Sequence, residues 1–366
     1  MSQENIPVEL RRAEAEWRTA ASACADTLHQ SAIAFLSGEG DGWVNPAIEV
    51  ATGQTVTLLA TGQIWLSREL NLALPPSITL WYRIGDGPVT RCISNSGTFI
   101  ADRSGALQLV AKPPGEWADM AGNFLADYPH AGASGGLLVT VLVWSGDVDE
   151  GLQAFAAADK SGAAERERTR RANEKPLPRG WTPLWRVGQS GIFYEDTGSD
   201  GRRMLACQCD NDCTIVKYPV NIPLDDDTRL AWSWRVDRLP SSQPESMLPT
   251  HDYLSIAVEF ENGQDLTYYW SAGLPVGSSF RCPLGWWDKH ETHIVARSGA
   301  KELGQWVSEE KSVLDDYRRA VGGAVPQRVI GVWLIALSAL QRGIGQAAFR
   351  DMQLKGRRSG NLWIGP

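Results

Sequence analysis

The sequence predicts a mainly β protein: two β-sandwich or jelly-roll domains with an N-terminal helix and a helical linker. Three observations carry this. Short β-branched or alternating runs, such as Thr55–Leu59, Ile78–Ile84, Leu230–Val236 and Leu254–Phe260, recur on both sides of the chain's middle. Gly/Pro turns, such as Gly85-Asp86-Gly87-Pro88 and Pro113-Pro114-Gly115, punctuate them. A charged stretch ending at Pro176 and Pro178 separates the two sets. Length agrees, because 366 residues suit about two domains of ~150 residues each.

Residues 8–36 read as a helix. Leu10, Trp17 and Cys24, and likewise Ala21, Leu28 and Phe35, recur at sevens and give a narrow apolar stripe that Glu14 interrupts. The stripe can dock on the chain's own body or on a second copy as a homo-oligomer. Its shortness and Glu14 favour the chain's own body. The first domain, residues 38–147, closes on the apolar run Gly136–Trp144, which reads as a central strand. Residues 148–180 read as a linker: Leu152 and Phe155 open a helix, and mixed charges from Ala163 to Lys175 read as its solvated continuation. The second domain spans 181–356. There Trp232 and Trp234 alternate against Ser233 and Arg235, and Leu254, Ile256 and Val258 against Tyr253, Ser255 and Glu259. Val329–Leu337 reads as a buried strand, Ser308–Ala320 as a short helix, and 357–366 as a loose tail.

Composition excludes several classes. The net charge of −8 argues against general nucleic-acid affinity, which needs clustered positive charge. No apolar run reaches the ~18 residues of a membrane helix. Residues 1–20 hold no continuous apolar segment of the secretory kind, so the expected compartment is cytoplasmic. Six Cys do not make a disulfide scaffold in a chain this long. Cys207, Cys209 and Cys213 are read as apolar side chains at the end of a strand, because metal sites more often show C-x2-C pairs with supporting His. His290 and His293 share a side on a helix but diverge at the entrance to a strand, so no zinc is expected from them. No Ser-His-Asp elbow, phosphate-binding loop or complete dinucleotide fingerprint is present; Gly343-Ile344-Gly345 lacks the rest of the last.

Two resemblances add to this. Gly42-Trp43-Val44, Ile48 to Thr57, Arg83-Ile84-Gly85, Asn95-Ser96-Gly97-Thr98, Gly105-Ala106-Leu107 and Asp127-Tyr128-Pro129 occur in order before the closing strand. Residues 40–146 thereby resemble the calcium-dependent galactophilic lectins of bacteria. The resemblance implies a sandwich in which an Asp of an Asp-x-Pro loop binds calcium and sugar, and Asp127 stands at that place. The following Thr and paired Asn of the lectins are replaced by Ala131 and by Ala133-Ser134-Gly135. Calcium takes six to eight oxygens, and this loop offers one carboxylate and carbonyls, so a scaffold without calcium is expected. Residues 206–354 resemble an uncharacterised bacterial family, a domain of unknown function, on Arg229–Asp237, His251-Asp252-Tyr253, Tyr269-Trp270, Leu303-Gly304-Gln305-Trp306 and Asp315–Gly322. That resemblance implies a galactose-binding-like jelly roll and no activity.

The alternation also points to a candidate site. With Trp232, Trp234, Leu254, Ile256, Val258, Ile294 and Ala296 inward, the outward set is Ser233, Arg235, Tyr253, Ser255, Glu259, His293, Val295 and Arg297. On one face these would bind a small polar ligand or glycan, aromatic rings stacking on a sugar while Arg and Glu engage hydroxyls. The first functional reading is a carbohydrate- or polyol-binding protein, with Ser233, Tyr269, Arg297 and Asp127 as ligand contacts and no cofactor. The alternatives are a glycan-active hydrolase or lyase using Glu259, His293, Tyr253 and Arg235, with Asp252 and Asp288 as further acid/base candidates, and a structural or assembly protein.

Overall fold

The computed structural model describes residues 6–40, 42–125 and 133–366. The chain forms two compact units, residues 1–174 and 175–366. Both are β-sandwiches.

The first unit opens with α1 (Val8–Ala23). Its strands are β1 (Leu28–Ser37), β2 (Glu49–Val50), β3 (Thr55–Ser67), β4 (Leu72–Leu74), β5 (Leu80–Ile84), β6 (Thr90–Arg91), β7 (Ser96–Ile100), β8 (Gly105–Ala111) and β9 (Ser134–Trp144). A short helix, α2 (Pro76–Thr79), leads into β5. One sheet runs β1-β9-β3-β4 with β7 also on β3, and the other runs β2-β8-β5-β6. Leu36, Leu58, Leu80, Leu107, Val139 and Val141 fill the space between them.

The larger sheet is buried on both faces. Leu59, Leu138, Leu142 and Trp144 point away from the sandwich core and pack against α1, α3 (Val148–Ala158) and α4 (Ala163–Ala172) through Trp17, Leu152, Phe155 and Ala164. This double burial is why β9 reads as an unbroken apolar run rather than an alternation.

Three expectations are corrected here. The helix expected over 8–36 stops at Ala23, and residues 28–37 form β1, paired with β9. A bulge between Leu28 and Gln30 shifts the register. It leaves Leu28 and Phe35 packed in one cluster against the helices, and that seven-residue interval is what imitates a helical stripe. The charged linker is no solvated connector. Both of its helices belong to the first unit, and Glu167, at 0% exposure, accepts from Ser96 Oγ (2.7 Å), Thr98 Oγ1 (2.8 Å) and Arg170. The tail pairs with the sheet as a strand, Gly360–Trp363, and buries Ile364.

The second unit contains β10 (Thr182–Pro183), β11 (Phe193–Thr197), β12 (Arg203–Asp210), β13 (Cys213–Pro223), β14 (Arg229–Arg238), β15 (Tyr253–Phe260), β16 (Asp265–Ser271), β17 (Ser279–Arg281), β18 (Glu291–Ser298), β19 (Val307–Ser312), β20 (Arg328–Leu337), β21 (Ile344–Gly356) and β22 (Gly360–Trp363). Seven strands order as β10-β13-β20-β15-β16-β18-β17, and six as β11-β12-β21-β14-β19 with β22 on β21. Every pairing is antiparallel except β16 with β18. Trp232, Trp234, Phe349 and Leu354 from the smaller sheet meet Ile256, Val258, Tyr268, Trp270 and Leu334 from the larger one in the core. The helix expected over 308–320 is instead β19 followed by one short turn, α5 (Val313–Asp316), and a π turn, Tyr317–Val321.

Trp17 shows how α1 is held within its own unit. Its ring is fully buried, and its Nε1 donates to Asp159 Oδ1 (3.2 Å) and Ser161 Oγ (3.2 Å). Trp17→Ala should destabilise the protein by about 3–5 kcal/mol, read as a lower denaturant midpoint followed by tryptophan fluorescence.

Candidate functional site

The outward residues of β15, β16 and β18 lie in register. Ala257, Thr267 and His293 form one row, continued by Phe280 of β17; Glu259, Asp265 and Glu291 form the next; Ser255, Tyr269 and Val295 a third. Tyr253, Tyr269, Glu259 and His293 therefore share a sheet face. Ser233 and Arg235 do not. They sit on β14 in the other sheet, where Ser233 Oγ pairs with Ser308 Oγ (2.9 Å) and Arg235 with Asp237. Arg297 is also drawn away, by Glu302 (2.7 Å) and by Glu309 of β19 (2.5 Å). The expected single face is thus corrected. Alternation separates inward from outward residues, but a sandwich has two outward faces on opposite sides, and the phase does not say which sheet a strand joins.

The face is also not a wet groove. Tyr253, Asp265, Thr267, Tyr269, Ser271, Glu291 and His293 are all buried. The connections on either side of β15 and β16 supply the cover, contributing Glu245, His251 and Cys282, while Phe280 of the edge strand β17 stacks on His293. Beneath them lies a polar layer. Glu291 Oε1 accepts from Tyr253 Oη and Thr267 Oγ1, both at 3.0 Å. Glu245 accepts from Ser271 Oγ (2.5 Å) and from the Ala272 N–H (2.6 Å), which ties the segment before β15 to the end of β16. Burial pushes the carboxyls of Glu245, Glu291 and Asp265 above their usual range, because a low-dielectric setting disfavours charge. It also drives the His251 imidazole down to about 4 and holds the His293 imidazole well below its usual range, so both rings are neutral near neutral pH.

Three potential metal donors converge in this layer. His251, Cys282 and His293 place their ligand atoms within 4.8 Å of one another, the one such group of His, Cys, Asp or Glu among the described residues. Sequence reasoning passed over His251 and Cys282. They lie 31 residues apart and neither belongs to a short metal spacing, although His251 at two residues before Tyr253 was a usable hint of a shared face. The six cysteines are all free and buried. Asp252 is structural: its carboxylate accepts the N–H groups of Leu340 (3.0 Å) and Gln341 (2.8 Å). Glu259 is engaged by Lys217 (2.5 Å) and by Trp333 Nε1 (3.0 Å). Asp127 lies outside the described residues.

A second feature belongs to the first unit. Tyr82 of β5 stacks on Phe99 of β7, ring centroids 4.2 Å apart and 13° from parallel, joining one sheet to the other. They wall a cleft of about 200 Å³ that Thr90, Asp102 and Arg103 complete. Arg103 forks onto Asp102 with Nε to Oδ1 at 3.1 Å and Nη2 to Oδ2 at 3.0 Å, which holds the Asp102 carboxyl below its usual range.

Residues 180–353 match a family described as a protein of unknown function (DUF3047). This agrees with the resemblance read from residues 206–354 and extends it towards the N-terminus. No curated protein matches the chain. Among solved structures, the chain is similar to the EclA N-terminal domain, a PllA-like lectin, at 18% identity over 32% of this chain and 98% of that one, TM-score 0.25. It is similar to the xyloglucanase domain of NopAA from Sinorhizobium fredii, solved with cellobiose, at 9% identity over 44% and 86%, TM-score 0.30. It is also similar to the C-terminal CBM6 of LamC from Zobellia galactanivorans, at 12% identity over 44% and 89%, TM-score 0.19.

The polar layer depends on Glu291. Glu291→Ala leaves the buried Tyr253 hydroxyl without its acceptor and Thr267 with Asp265 alone, and should cost about 1–3 kcal/mol. Glu291→Gln, which keeps an acceptor oxygen in place, should cost markedly less. Equilibrium denaturation of the two variants side by side checks this.

Proposed function

We propose that the protein binds a small carbohydrate or polyol without transforming it, and that the cleft at Tyr82 and Phe99 is where the ligand sits. The observation that carries this is the pairing of a half-exposed aromatic wall with the Asp102–Arg103 fork in one concavity of about 200 Å³. A sugar ring presents the complementary surface: C–H faces that pack on an aromatic plane, and hydroxyls that both donate and accept. Asp102 supplies an acceptor and Arg103 and Thr90 supply donors, so neighbouring hydroxyls can be engaged together.

A hydrolase or lyase centred on Tyr253, His293, Glu259 and Arg235 has less support. His293 and Tyr253 are sealed beneath a cover, Glu259 is held in an ion pair, and Arg235 lies on the other sheet. For the compartment we propose the cytoplasm, since six free thiols suit a reducing environment. Among the described residues no helix is long and apolar enough to cross a membrane.

The test is a thermal-shift and calorimetric screen of the full chain against galactose, glucose, xylose and their short oligomers, with and without calcium. A ligand held only by the native state raises the melting temperature, by an amount that corresponds to about 2.7 kcal/mol at a hundredfold excess over Kd. Arg103→Ala and Asp102→Ala remove exposed or half-exposed side chains and should abolish the shift while leaving the unliganded melting temperature nearly unchanged. A sugar that binds equally well to both variants would place the site elsewhere.

A further inference from the structure

We propose that His251, Cys282 and His293 form a buried zinc site, and that the Glu291 carboxylate, whose Oε1 lies 3.5 Å from His293 Nε2 but outside this three-donor cluster, moves in as fourth donor. The first ground is His293. Its ring is fully buried, yet neither Nδ1 nor Nε2 has a hydrogen-bond partner. A buried polar atom left unpaired is costly, and here one ring carries two. Phe280 stacks on it at 5.1 Å and 6°, and Tyr253 and Tyr269 meet it edge-on, so aromatic packing fixes its plane and leaves its nitrogens for something else.

The second ground is the preparation of His251. Its Nδ1 lies 2.5 Å from the Glu245 carbonyl oxygen. A carbonyl only accepts, so Nδ1 carries the proton and Nε2 keeps its lone pair. That lone pair faces Cys282 Sγ at 3.4 Å. A backbone carbonyl that fixes the far nitrogen is the usual support of a metal-binding histidine.

The third ground is spacing. Zinc bonds of about 2.0–2.1 Å to nitrogen and about 2.3 Å to sulfur set tetrahedral donors roughly 3.3–3.7 Å apart. His251 Nε2 to Cys282 Sγ, 3.4 Å, and His293 Nε2 to Glu291 Oε1, 3.5 Å, are already edges of that size. The three His and Cys donors lie within 4.8 Å of one another, so closure needs a movement of about 1 Å. His251 and Cys282 lie outside regular strands and can make it, whereas His293 is fixed in β18.

The donor set selects the ion. Calcium and magnesium take oxygen ligands; two imidazoles, a thiolate and a carboxylate suit zinc. Four protein donors leave no open position, so the site is structural and ties the segment before β15, the segment after β17, and β18 to one another. On binding, the Cys282 thiol gives up its proton to solvent as the sulfur–zinc bond forms.

The experiment uses the full chain expressed with added zinc, its metal content measured by mass spectrometry, and a cobalt-substituted sample examined by absorption. Expected are one zinc per chain, a thiolate-to-cobalt charge-transfer band with tetrahedral ligand-field bands, and a lower melting temperature after removal of the metal by a chelator. Cys282→Ser should lose the charge-transfer band and bind zinc more weakly, by more than the roughly tenfold that loss of a supporting partner alone costs. His293→Gln should keep the band's thiolate origin but lose tetrahedral symmetry and affinity. Cys209→Ser, which alters another buried thiol, should change neither. The proposal is overturned by wild-type protein that takes up no stoichiometric metal, by preferential loading of copper or iron, or by a cobalt spectrum that survives Cys282→Ser and disappears in Cys209→Ser. The wild-type measurements decide the matter even if a variant does not fold.

Discussion

The larger sheet of the second unit has to bury polar side chains on the face turned away from its core. Everything around that face follows from the constraint. A sheet face under cover cannot leave carboxylates and hydroxyls to water, so most of them are paired within the protein. Glu291 collects Tyr253 and Thr267, and Glu245 collects Ser271 and the Ala272 amide. These bonds hold the covering segments down, and the segments in turn keep the layer dry. The first unit meets the same constraint by apolar means. Its larger sheet is also covered on the outer face, but by Trp17, Leu152 and Phe155, with the buried Glu167 satisfied by Ser96, Thr98 and Arg170.

The two solutions leave different surfaces for function. In the first unit, helices cover the broad face of the sheet, and the aromatic cleft lies at the margin of the sandwich, where Tyr82 and Phe99 meet. In the second, the broad face is polar but closed, which suits the holding of an ion better than exchange with solvent. A sheet face of His, Tyr and Glu is therefore not by itself a sugar-binding face. Its accessibility decides, and that is set by the connections rather than by the strands.

Much of the fold was legible in the sequence because it is written in local patterns. The alternation of Leu254 to Phe260 and the apolar run of 136–144 are short-range signals, and both strands stand where they were expected. The resemblance of residues 206–354 to an uncharacterised family was legible for the same reason. The errors share one cause. Leu28 and Phe35 imitate a helical stripe only because of a bulge. Glu167 looks solvated until its partners, some seventy residues upstream, are known. Ser233 and Arg235 have the same phase as Tyr253 yet belong to the other sheet. Each depends on pairing between distant segments, which composition and periodicity do not encode. The convergence of His251, Cys282 and His293 belongs to the same class, since no spacing in the chain marks it.

The lone parallel pairing, β16 with β18, has a consequence for the order of folding. Parallel neighbours cannot be joined by a tight hairpin, so the chain leaves β16 at Ser271, lays β17 on the far side of β18, and returns at Glu291. Cys282 travels on that excursion. Hairpins such as β15–β16 close locally and early, while a pairing that must wait for a long loop to be drawn in comes later. The Cys282 sulfur is therefore enclosed only after this excursion has been drawn in, whereas the pairings of β13 with β20 and of β14 with β21 close over much longer stretches of chain.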